Sequence, residues 1–531
     1  MSSPAEAPAA RPPAPAAEAA PATGRHALWM LIASVVVALL NYGLNILLGW
    51  ALPLDAYGQI GVAQTLIFVC TWFLSAGFPW LVSRAVAQAR GPDAAAREAA
   101  ARTFKTAWAA SAVLTVAVVA LLLGSYALGV LPLGAGYAPL MLLVALTVAA
   151  LGLSSVPDSA LQGLFRFGRV ATGRVAEAAT NFVLSAVLVV VGLGAPGGLA
   201  GFAAAAVLAC ALNVWWIRDT GLRGAAGWGG LGMLRAASVM TVAVFGGVLL
   251  TNIDLLALKF LSGAGSDRLA GTYQVAAVLA RAPLFVGTAL VSTFYPRIAL
   301  EHARDAAVPA GRDLLRWTAL GVLPINVILA AAAPAVVLFF FPARFAPAAG
   351  LLALLAVGSA CLVWAGALAA IRQASGRVRG PALIMALAVT LQIVVLAWGI
   401  PAAGATGAAF ASLVAALLAA GLLVAQAWRR GAPALPDGRQ VLALAGLALV
   451  VLPLGLGIVP AGRLLVAAWV AAAAAVYAIL CLYLGVLSPA DLARVPAPLL
   501  VGRLGIVTRP ALGAAGTLQR WGRRFGPGEG R

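Results

Sequence analysis

Long apolar segments recur along almost the whole chain, and only short polar segments separate them. Each apolar segment has about twenty residues or more, which at 1.5 Å per residue lets an α-helix cross roughly 30 Å of hydrocarbon. The pattern therefore predicts an all-α integral membrane protein with fourteen spanning helices. The predicted spans are 27–50, 57–82, 106–130, 137–156, 170–193, 197–217, 236–258, 270–292, 315–341, 348–370, 381–400, 404–427, 441–460 and 464–487.

Composition agrees with this pattern and narrows the chemistry. Of the 531 residues, 63% are hydrophobic and only 10% are charged, a profile far from that of a soluble domain. All four cysteines lie inside predicted spans, where isolated thiols behave as small apolar residues. Because the chain has only two histidines besides, we expect no metal site and no cofactor.

The net charge of +19 is a matter of topology and does not indicate nucleic-acid binding. With the N-terminus placed in the cytoplasm, 30 of the 35 Lys and Arg residues fall in cytoplasmic segments and four in outer loops, and Arg281 lies inside a span. Basic residues concentrate on the cytoplasmic side of membrane proteins, so both termini are predicted to be cytoplasmic. Arginine outnumbers lysine 33 to 2, which suggests a GC-rich bacterial genome. We name the inner and outer ends of each span from this topology.

Two parts of the sequence resemble each other. Residues 161–202 match 369–410 at a shift of 208, so that Arg169 falls on Arg377. A weaker match lays 39–43 over 250–254. Together they predict two parallel six-span lobes related by an axis along the membrane normal. The expected divisions are a disordered cytoplasmic tail (1–24), a first lobe (25–235), a second lobe (236–430), a terminal helix pair (431–487) and a basic cytoplasmic tail (488–531).

Six stretches of the chain resemble one family of transporters. The chain is similar there to Wzx-type polysaccharide flippases, in the multidrug/oligosaccharidyl-lipid/polysaccharide (MOP) exporter superfamily. That superfamily also contains lipid II flippases and multidrug exporters of the MATE type. The stretches are "LPLDAYGQIGVAQTL" (52–66), "LQGLFRFGRV" (161–170), "NIDLLALKFLSGAGSDRLAGTYQVAAVLAR" (252–281), "FYPRIA" (294–299), "RQASGR" (372–377) and "GATGAAFAS" (404–412).

The resemblance implies a MATE-like fold in which two six-helix lobes rock around a central cavity, with an extra helix pair beside the second lobe. It implies a transporter and not an enzyme. The expected activity is movement of a polyprenyl-pyrophosphate-linked oligosaccharide from the inner to the outer leaflet by alternating access, for surface polysaccharide biosynthesis. Expected partners are the lipid-linked glycan, membrane lipid, a coupling ion (H⁺ or Na⁺) and polysaccharide polymerase or export proteins. We expect a monomer.

Ionisable residues inside spans are costly, at roughly 2.5–3.5 kcal/mol each on insertion scales, and are therefore candidates for function. Asp254 lies in the outer half of span seven, and Arg281 lies deep in span eight, about 8 Å from it in depth. Two interpretations remain open: a buried Asp254–Arg281 ion pair, or an Asp254 that binds a proton or cation while Arg281 engages the substrate pyrophosphate. Lys259 points about 140° away from Asp254 and is a poorer partner.

Polar residues on spans one, five and seven extend this candidate site. Arg174, Glu177 and Asn181 share one face of span five, either because Arg174 pairs with Glu177 or because the face lines a hydrated cavity in which Glu177 assists coupling. Asn41 and Asn45 share a face of span one, and Asn41 falls on Asn252 under the repeat. These amides are expected either to face the central gap or to make ordinary interhelical hydrogen bonds.

Four arginines lie at cytoplasmic ends of spans, where the pyrophosphate headgroup would arrive: Arg84, Arg166, Arg297 and Arg372. Each serves either as a topology anchor or as part of a funnel for the headgroup.

Other activities remain as alternatives. A MATE-like multidrug or small-cation antiporter would favour an acidic cavity, whereas the arginines within the spans favour an anionic cargo. A lipid II flippase would share the same scaffold. A polytopic glycosyltransferase or polymerase is less favoured, because those families carry long outer loops and the longest predicted outer loop here, 259–269, has about eleven residues.

Overall fold

A computed structural model describes residues 20–89, 93–222, 227–228, 245–263, 266–303, 309–431, 435–459 and 462–487. Regular structure in these residues is helical throughout, which confirms the all-α prediction. The α-helices in chain order are α1 (Ala20–Ala51), α2 (Leu54–Ser75), α3 (Phe78–Gln88), α4 (Ala94–Ala127), α5 (Ala138–Gly163), α6 (Phe167–Leu188), α7 (Gly194–Trp216), α8 (Ile253–Leu261), α9 (Ser266–Ala303), α10 (Pro309–Trp317), α11 (Leu323–Ala331), α12 (Ala333–Phe340), α13 (Ala348–Ala374), α14 (Arg379–Trp428), α15 (Gly438–Gly455) and α16 (Arg463–Tyr483).

Eleven helical segments in the described residues are long and apolar enough to cross a membrane. Two of them, Phe167–Thr220 and Arg379–Trp428, have 54 and 50 residues, and each contains two predicted spans. Thirteen of the fourteen predicted spans fall on the eleven segments. The count of fourteen is not confirmed, because part of predicted span seven lies in 229–244, outside the described residues.

Both double-length segments change direction at a glycine. Gly194 has φ 57° and ψ −140°, and Gly404 has φ 55° and ψ −128°, a region that only glycine adopts readily. A Cβ on Gly407 would stand 1.9 Å from the Gly399 carbonyl oxygen, so the two arms of α14 meet backbone to backbone. The turns lie 210 positions apart (404 against 194), close to the shift of 208 at which the sequences match.

The helical boundaries differ from the sequence prediction at the N-terminus. α1 begins at Ala20, inside the segment predicted to be a disordered tail, because alanine favours helix more than any other residue. The rest of that tail and the predicted tail at 488–531 lie outside the described residues. The lobe boundaries stay predictions.

One large apolar core joins the two halves of the chain at the outer end. It contains Leu48 and Ile60 from the first half and Tyr273 and Leu352 from the second. The outer parts of the terminal helices α15 and α16 pack on the same core. Burial of this shared surface stabilises the outer end as one unit.

At the inner end the two halves have separate cores. Val82, Phe104 and Leu161 belong to a core built from first-half residues. Leu314 and Leu423 belong to a different one built from second-half residues. The halves are therefore joined by apolar burial at the outer end and divided at the inner end.

The two halves approach each other closely at glycines of α2 and α9. A Cβ on Gly58 would stand 1.9 Å from the Asp267 carbonyl oxygen, and one on Gly271 would stand 2.3 Å from that of Leu54. Separations below 3.0 Å require the backbone to move. Only glycine lets these two helices touch in this way.

We expect Gly58→Ala to separate α2 from α9 and to destabilise the protein by about 1–3 kcal/mol, the range found for overpacked interiors. Thermal unfolding of the purified protein in detergent measures the effect. Gly124→Ala in α4 is the matched control, because open space surrounds Gly124 and alanine only raises helix propensity there. Equal stabilities of the two variants would contradict the close approach.

Candidate functional site

Predicted span seven is broken where its polar residues lie. Residues 245–250 are helical, Thr251 and Asn252 form a turn, and α8 begins at Ile253. The break exposes backbone carbonyls that a continuous helix would satisfy, and in a membrane these need other donors. Gln392 of α14 donates to the Leu250 carbonyl at 3.1 Å. Arg281 of α9 donates to the Thr251 carbonyl at 2.6 Å.

Asp254 is held by groups from three helices just beyond this break. Its side chain is 3% exposed. One carboxylate oxygen accepts hydrogen bonds from the Tyr273 hydroxyl at 2.5 Å and from the Ser412 hydroxyl at 2.9 Å. The other accepts from the backbone N–H of Leu255 at 2.8 Å. A buried carboxylate is tolerated only with such donors around it, so α8, α9 and α14 are coupled through this one side chain.

The interpretation of Asp254 and Arg281 as an ion pair is wrong. Within the described residues, the guanidinium of Arg281 bonds to the Thr251 carbonyl and makes no ion pair with Asp254. The reason is local: the helix break supplies a free carbonyl near Arg281, while neutral donors already surround the carboxylate. Depth along the membrane normal correctly predicted that Asp254 and Arg281 lie near each other, but it did not predict the group that each side chain bonds to.

Asp254 and Arg281 nevertheless line one cavity. Its volume is about 40 Å³, and Thr251, Ser359 and Ser412 also line it. That volume accommodates a water molecule or a small cation. The Ser359 hydroxyl is buried without a hydrogen-bond partner among the described residues, so the cavity contains an oxygen available to a guest.

Arg281 also lies close to the first half of the chain. Phe285, one turn further along α9, makes an edge contact with Tyr42 of α1 at 6.2 Å between ring centroids. The charge of Arg281 acts on the Tyr42 hydroxyl. The guanidinium is therefore placed beside the boundary between the halves.

The predicted asparagines have different environments. Asn45 donates to the Asn41 carbonyl at 2.9 Å, and Asn41 itself is exposed. Asn252 is buried and donates to the Val248 carbonyl at 2.8 Å. Asn181 is buried and accepts from the Ser185 hydroxyl at 3.0 Å. Among the described residues no hydrogen bond joins Asn41 to Asn252, and their orientation toward a central gap stays a prediction.

The polar face of span five meets a carboxylate from the neighbouring helix. Arg174 lies 3.4 Å from the carboxylate of Asp158 in α5, so the predicted Arg174–Glu177 pair is wrong. Gln162 donates to the same carboxylate oxygen at 2.8 Å. Glu177 is half-buried beside both charges. Residue spacing within span five cannot show a partner such as Asp158, which lies on a neighbouring helix.

The four cytoplasmic arginines lie on four different elements. Arg84 is exposed near the end of α3, and Arg297 in α9 is exposed and lies 3.3 Å from Glu301. Arg166 precedes α6 and Arg372 is in the last turn of α13. Each of these last two has a buried guanidinium nitrogen without a hydrogen-bond partner among the described residues.

At the outer end, a charge pair of the second half contacts two polar residues of the first half, and the sequence did not predict this connection. Asp267, in the first turn of α9, pairs with Lys259 and accepts from the hydroxyl of Tyr137 at 2.5 Å and from the amide of Gln59 at 3.3 Å. Lys259 is 7% exposed and lies over the Tyr137 ring. Tyr137 and Gln59 come from the first half of the chain and Lys259 and Asp267 from the second. We call these four residues the outer latch.

Arg344 provides a second connection across the halves. Its guanidinium donates to the carbonyls of Gly49, Trp50 and Leu52 at 2.7, 3.0 and 2.9 Å, at the C-terminal end of α1. A cation is favourable there because the last carbonyls of a helix lack intrahelical donors and carry its negative dipole end. Lys259 and Arg344 are two of only four basic residues that the charge distribution placed in outer loops. That scarcity was the available signal, although hydropathy does not show what a loop residue contacts.

The chain matches one protein family and several solved structures. Residues 23–300, just over half of the chain, match the family described as "Polysaccharide biosynthesis protein". No curated protein matches the chain. Among solved structures, the chain is similar to a lipid II flippase MurJ in an inward closed conformation, with a TM-score of 0.68, 13% identity and coverage of 88% of this chain and 100% of that one.

Two further solved structures share the fold. One is a multidrug resistance MATE family transporter of the MOP superfamily in an inward-facing conformation, with a TM-score of 0.60, 14% identity and coverage of 76% of this chain and 97% of that one. The other is a MOP superfamily transporter from Pyrococcus furiosus, with a TM-score of 0.53, 15% identity and coverage of 80% and 96%. The fold is therefore that of MurJ and MATE transporters, as the resemblance implied.

Proposed function

The chain belongs to the polysaccharide biosynthesis protein family, and we propose that it is a flippase for a polyprenyl-pyrophosphate-linked oligosaccharide. In this proposal the cargo moves from the inner to the outer leaflet of the bacterial inner membrane. The hydrophilic headgroup crosses between the two halves while the polyprenyl tail stays in lipid. The chain acts by alternating access and performs no covalent chemistry. It works as a monomer and delivers its product to polysaccharide polymerase or export proteins.

The division of the apolar core carries this proposal. One core joins the halves at the outer end, and separate cores hold them at the inner end. Separation of the inner ends therefore costs less shared apolar burial than separation of the outer ends, although it breaks the ring contacts Tyr42–Phe285 and Phe73–Phe245. This difference suits loading from the cytoplasm. Release to the outer leaflet then requires the outer latch and the Arg344 contacts to break.

Arg281 is the residue proposed to meet the pyrophosphate. It makes no ion pair with a carboxylate among the described residues, and it lies beside the boundary between the halves. A guanidinium fits phosphate oxygens with two parallel hydrogen bonds. Asn41, Asn45 and Arg174 are proposed to line the same passage. Asn252 and Asn181 act less directly, since their side chains are buried and hydrogen-bonded within the protein.

The Asp254 cavity is proposed to bind the coupling ion, H⁺ or Na⁺. A hard cation prefers oxygen ligands, and the cavity presents Asp254, Ser359 and Ser412. The carbonyl oxygen of the Gln392 side chain, beside Ser412, is buried without a partner among the described residues. Binding there would bias the packing of α8, α9 and α14. Glu177 is proposed as a second protonatable group in the first half.

The cytoplasmic arginines are proposed to draw the headgroup toward the gap. Arg84 and Arg297 are exposed, and Arg166 and Arg372 have guanidinium nitrogens without partners in the described residues. Positive charge at the mouth of a cleft raises the local concentration of an anionic substrate.

We expect Arg281→Ala to lower flipping by about tenfold or more, because a charge-assisted hydrogen bond contributes roughly 1.5–3 kcal/mol. Arg281→Lys keeps the charge and loses the two-pronged geometry, so an intermediate rate is expected. Arg268→Ala is the control, since its side chain is 72% exposed at the outer end. Recovery of surface polysaccharide in a deletion strain measures all three. Full recovery with Arg281→Ala, at equal membrane levels of protein, would remove Arg281 from the proposed path.

Deletion of the gene in its own organism tests the function itself. We expect lipid-linked oligosaccharide to accumulate on the cytoplasmic leaflet, as measured by extraction and analysis of inner-membrane lipids, and the surface glycan to disappear. Normal surface glycan together with new sensitivity to drugs or dyes would contradict the proposal and favour a MATE-like exporter. Accumulation of lipid II with cell lysis would instead identify a lipid II flippase.

A further inference from the structure

Three arginines gather at the inner end of the second half of the chain. Arg372 is in the last turn of α13, Arg377 is in the turn that follows, and Arg430 comes just after the end of α14. The charges of Arg377 and Arg430 both act on that of Arg372. We call these residues the inner arginine cluster.

The inner arginine cluster has no carboxylate to neutralise it among the described residues. The sequence contains no Asp or Glu between Asp313 and Asp437, and none of the three arginines makes an ion pair in the part of the chain that the structure describes. Repulsion among three guanidinium groups in one place is unfavourable unless an anion joins them.

Polar atoms beside the cluster are also unpaired. The Nε of Arg372 and the side-chain carbonyl oxygen of Gln426 are buried without hydrogen-bond partners among the described residues. The ideal Cβ position of Gly380 is 2.8 Å from the Gln426 amide nitrogen and 3.6 Å from an Arg372 guanidinium nitrogen. A side chain larger than glycine would crowd the Gln426 amide, so glycine lets the side chains of Gln426 and Arg372 pack closely against the start of α14.

In the first half of the chain, the arginine at the position equivalent to Arg377 has a carboxylate beside it. Arg169, which falls on Arg377 under the repeat, donates to the carbonyl of Trp216 at 3.0 Å and lies 3.9 Å from the carboxylate of Asp219. Trp216 ends α7 as Trp428 ends α14. The residue three positions after Trp216 is Asp219, whereas the residue three positions after Trp428 is Gly431. The second half thus has Arg377 and Arg430 where the first half has Arg169 and Arg218, but it lacks the carboxylate that pairs with Arg169.

The cluster lies at the level of the lipid headgroups. Trp428 is 74% exposed, and exposed tryptophans mark the membrane–water interface. The predicted topology places this interface on the cytoplasmic side, where anionic lipids attract basic residues.

We propose that Arg372, Arg377 and Arg430 form a binding site for the phosphate group of an anionic lipid headgroup in the inner leaflet. The phosphate oxygens accept hydrogen bonds from the guanidinium groups, including the unpaired Nε of Arg372. The phosphate belongs either to a membrane phospholipid or to a lipid-linked diphosphate. The site would tie the inner end of the second half to the leaflet while the halves rock.

Native mass spectrometry of the full chain, titrated with phosphatidylglycerol in detergent, tests this site. We expect the wild type to hold phosphatidylglycerol in preference to phosphatidylcholine, which is zwitterionic. The combined variant Arg372→Gln/Arg377→Gln/Arg430→Gln should weaken phosphatidylglycerol binding by about tenfold or more, because charge-assisted hydrogen bonds are lost. Arg218→Gln is the matched control: it removes one arginine two positions after Trp216, the place that Arg430 takes after Trp428. Its binding should equal that of the wild type.

Competition with inorganic pyrophosphate separates the two sources. Displacement of phosphatidylglycerol by pyrophosphate supports a site that takes the diphosphate headgroup, and persistence of the bound lipid supports a phospholipid site. The proposal is overturned if the combined variant binds phosphatidylglycerol as the wild type does, or if the wild type does not distinguish the two lipids. Should the combined variant fail to fold, Arg430→Gln alone, at an exposed position, replaces it. Phosphatidylglycerol binding equal to that of the wild type would then overturn the proposal. Because the experiment measures binding and not transport, its failure is distinct from failure of the flippase proposal.

Discussion

Asp254→Asn is expected to reduce flipping of a lipid-linked oligosaccharide by tenfold or more, while the protein still inserts and folds. The substitution keeps the size of the side chain and an acceptor for the Tyr273 hydroxyl, but removes the charge that we propose binds the coupling ion. Hydrogen bonds to a charged group contribute about 1.5–3 kcal/mol, and about 1.4 kcal/mol is a factor of ten in an equilibrium. Transport by the purified protein in vesicles, with and without an imposed ion gradient, measures the effect.

Two comparisons isolate the charge. Ser412→Ala removes one of the neutral donors to Asp254 and should give a smaller loss, because the carboxylate remains. Asp219→Asn removes an exposed carboxylate elsewhere in the chain and should leave transport unchanged. If Asp254→Asn flips at the wild-type rate and keeps its dependence on the ion gradient, the carboxylate is only a structural link among α8, α9 and α14.

Asp267→Asn is expected to destabilise the outer latch strongly. It leaves the charge of Lys259 buried at 7% exposure without its partner, and breaking a buried pair in this way costs about 3–5 kcal/mol. The halves should then separate more readily at the outer end. Hydrogen–deuterium exchange of the full chain measures this as faster amide exchange in 54–66 and 266–280, together with a lower unfolding temperature.

The control for the latch is a variant that removes both charges. Lys259→Met/Asp267→Asn leaves no unpaired ion and should recover most of the lost stability. Asp55→Asn breaks the exposed pair with Arg268, at 3.9 Å, and should cost only about 0–1 kcal/mol. An Asp267→Asn variant no less stable than Asp55→Asn would show that the latch does not hold the halves together.

The sequence was sufficient to predict the membrane class, thirteen of the span positions and the type of fold. Hydropathy reports burial in lipid, and each span needs about twenty apolar residues wherever it lies. Hydropathy did not predict the helix break at Thr251 and Asn252, because these residues lie in an apolar run whose hydrophobic pattern does not change there.

The sequence predicted where the candidate site lies but only part of which side chains contact each other there. Asp254 and Arg281 do line one cavity, because sequential antiparallel helices bring similar depths together. Their partners could not be derived, since depth does not fix the direction in which a helix face points. Tyr273 and Ser412, which hold Asp254, stand in stretches that carried the family resemblance, yet no spacing connects residues 19 and 158 positions apart. The outer latch was missed for the same reason, because its four residues come from four separate segments.

Reconstituted transport tests the central claim most directly. The purified full chain is placed in vesicles whose two leaflets both contain a polyprenyl-pyrophosphate-linked oligosaccharide, and a membrane-impermeant glycosidase reports the fraction facing outward. We predict that this fraction rises with time beyond the part accessible at the start, and that Asp254→Asn and Arg281→Ala suppress the rise. A wild-type fraction that stays at its initial value, in vesicles containing folded protein and an ion gradient of either direction, would contradict the account.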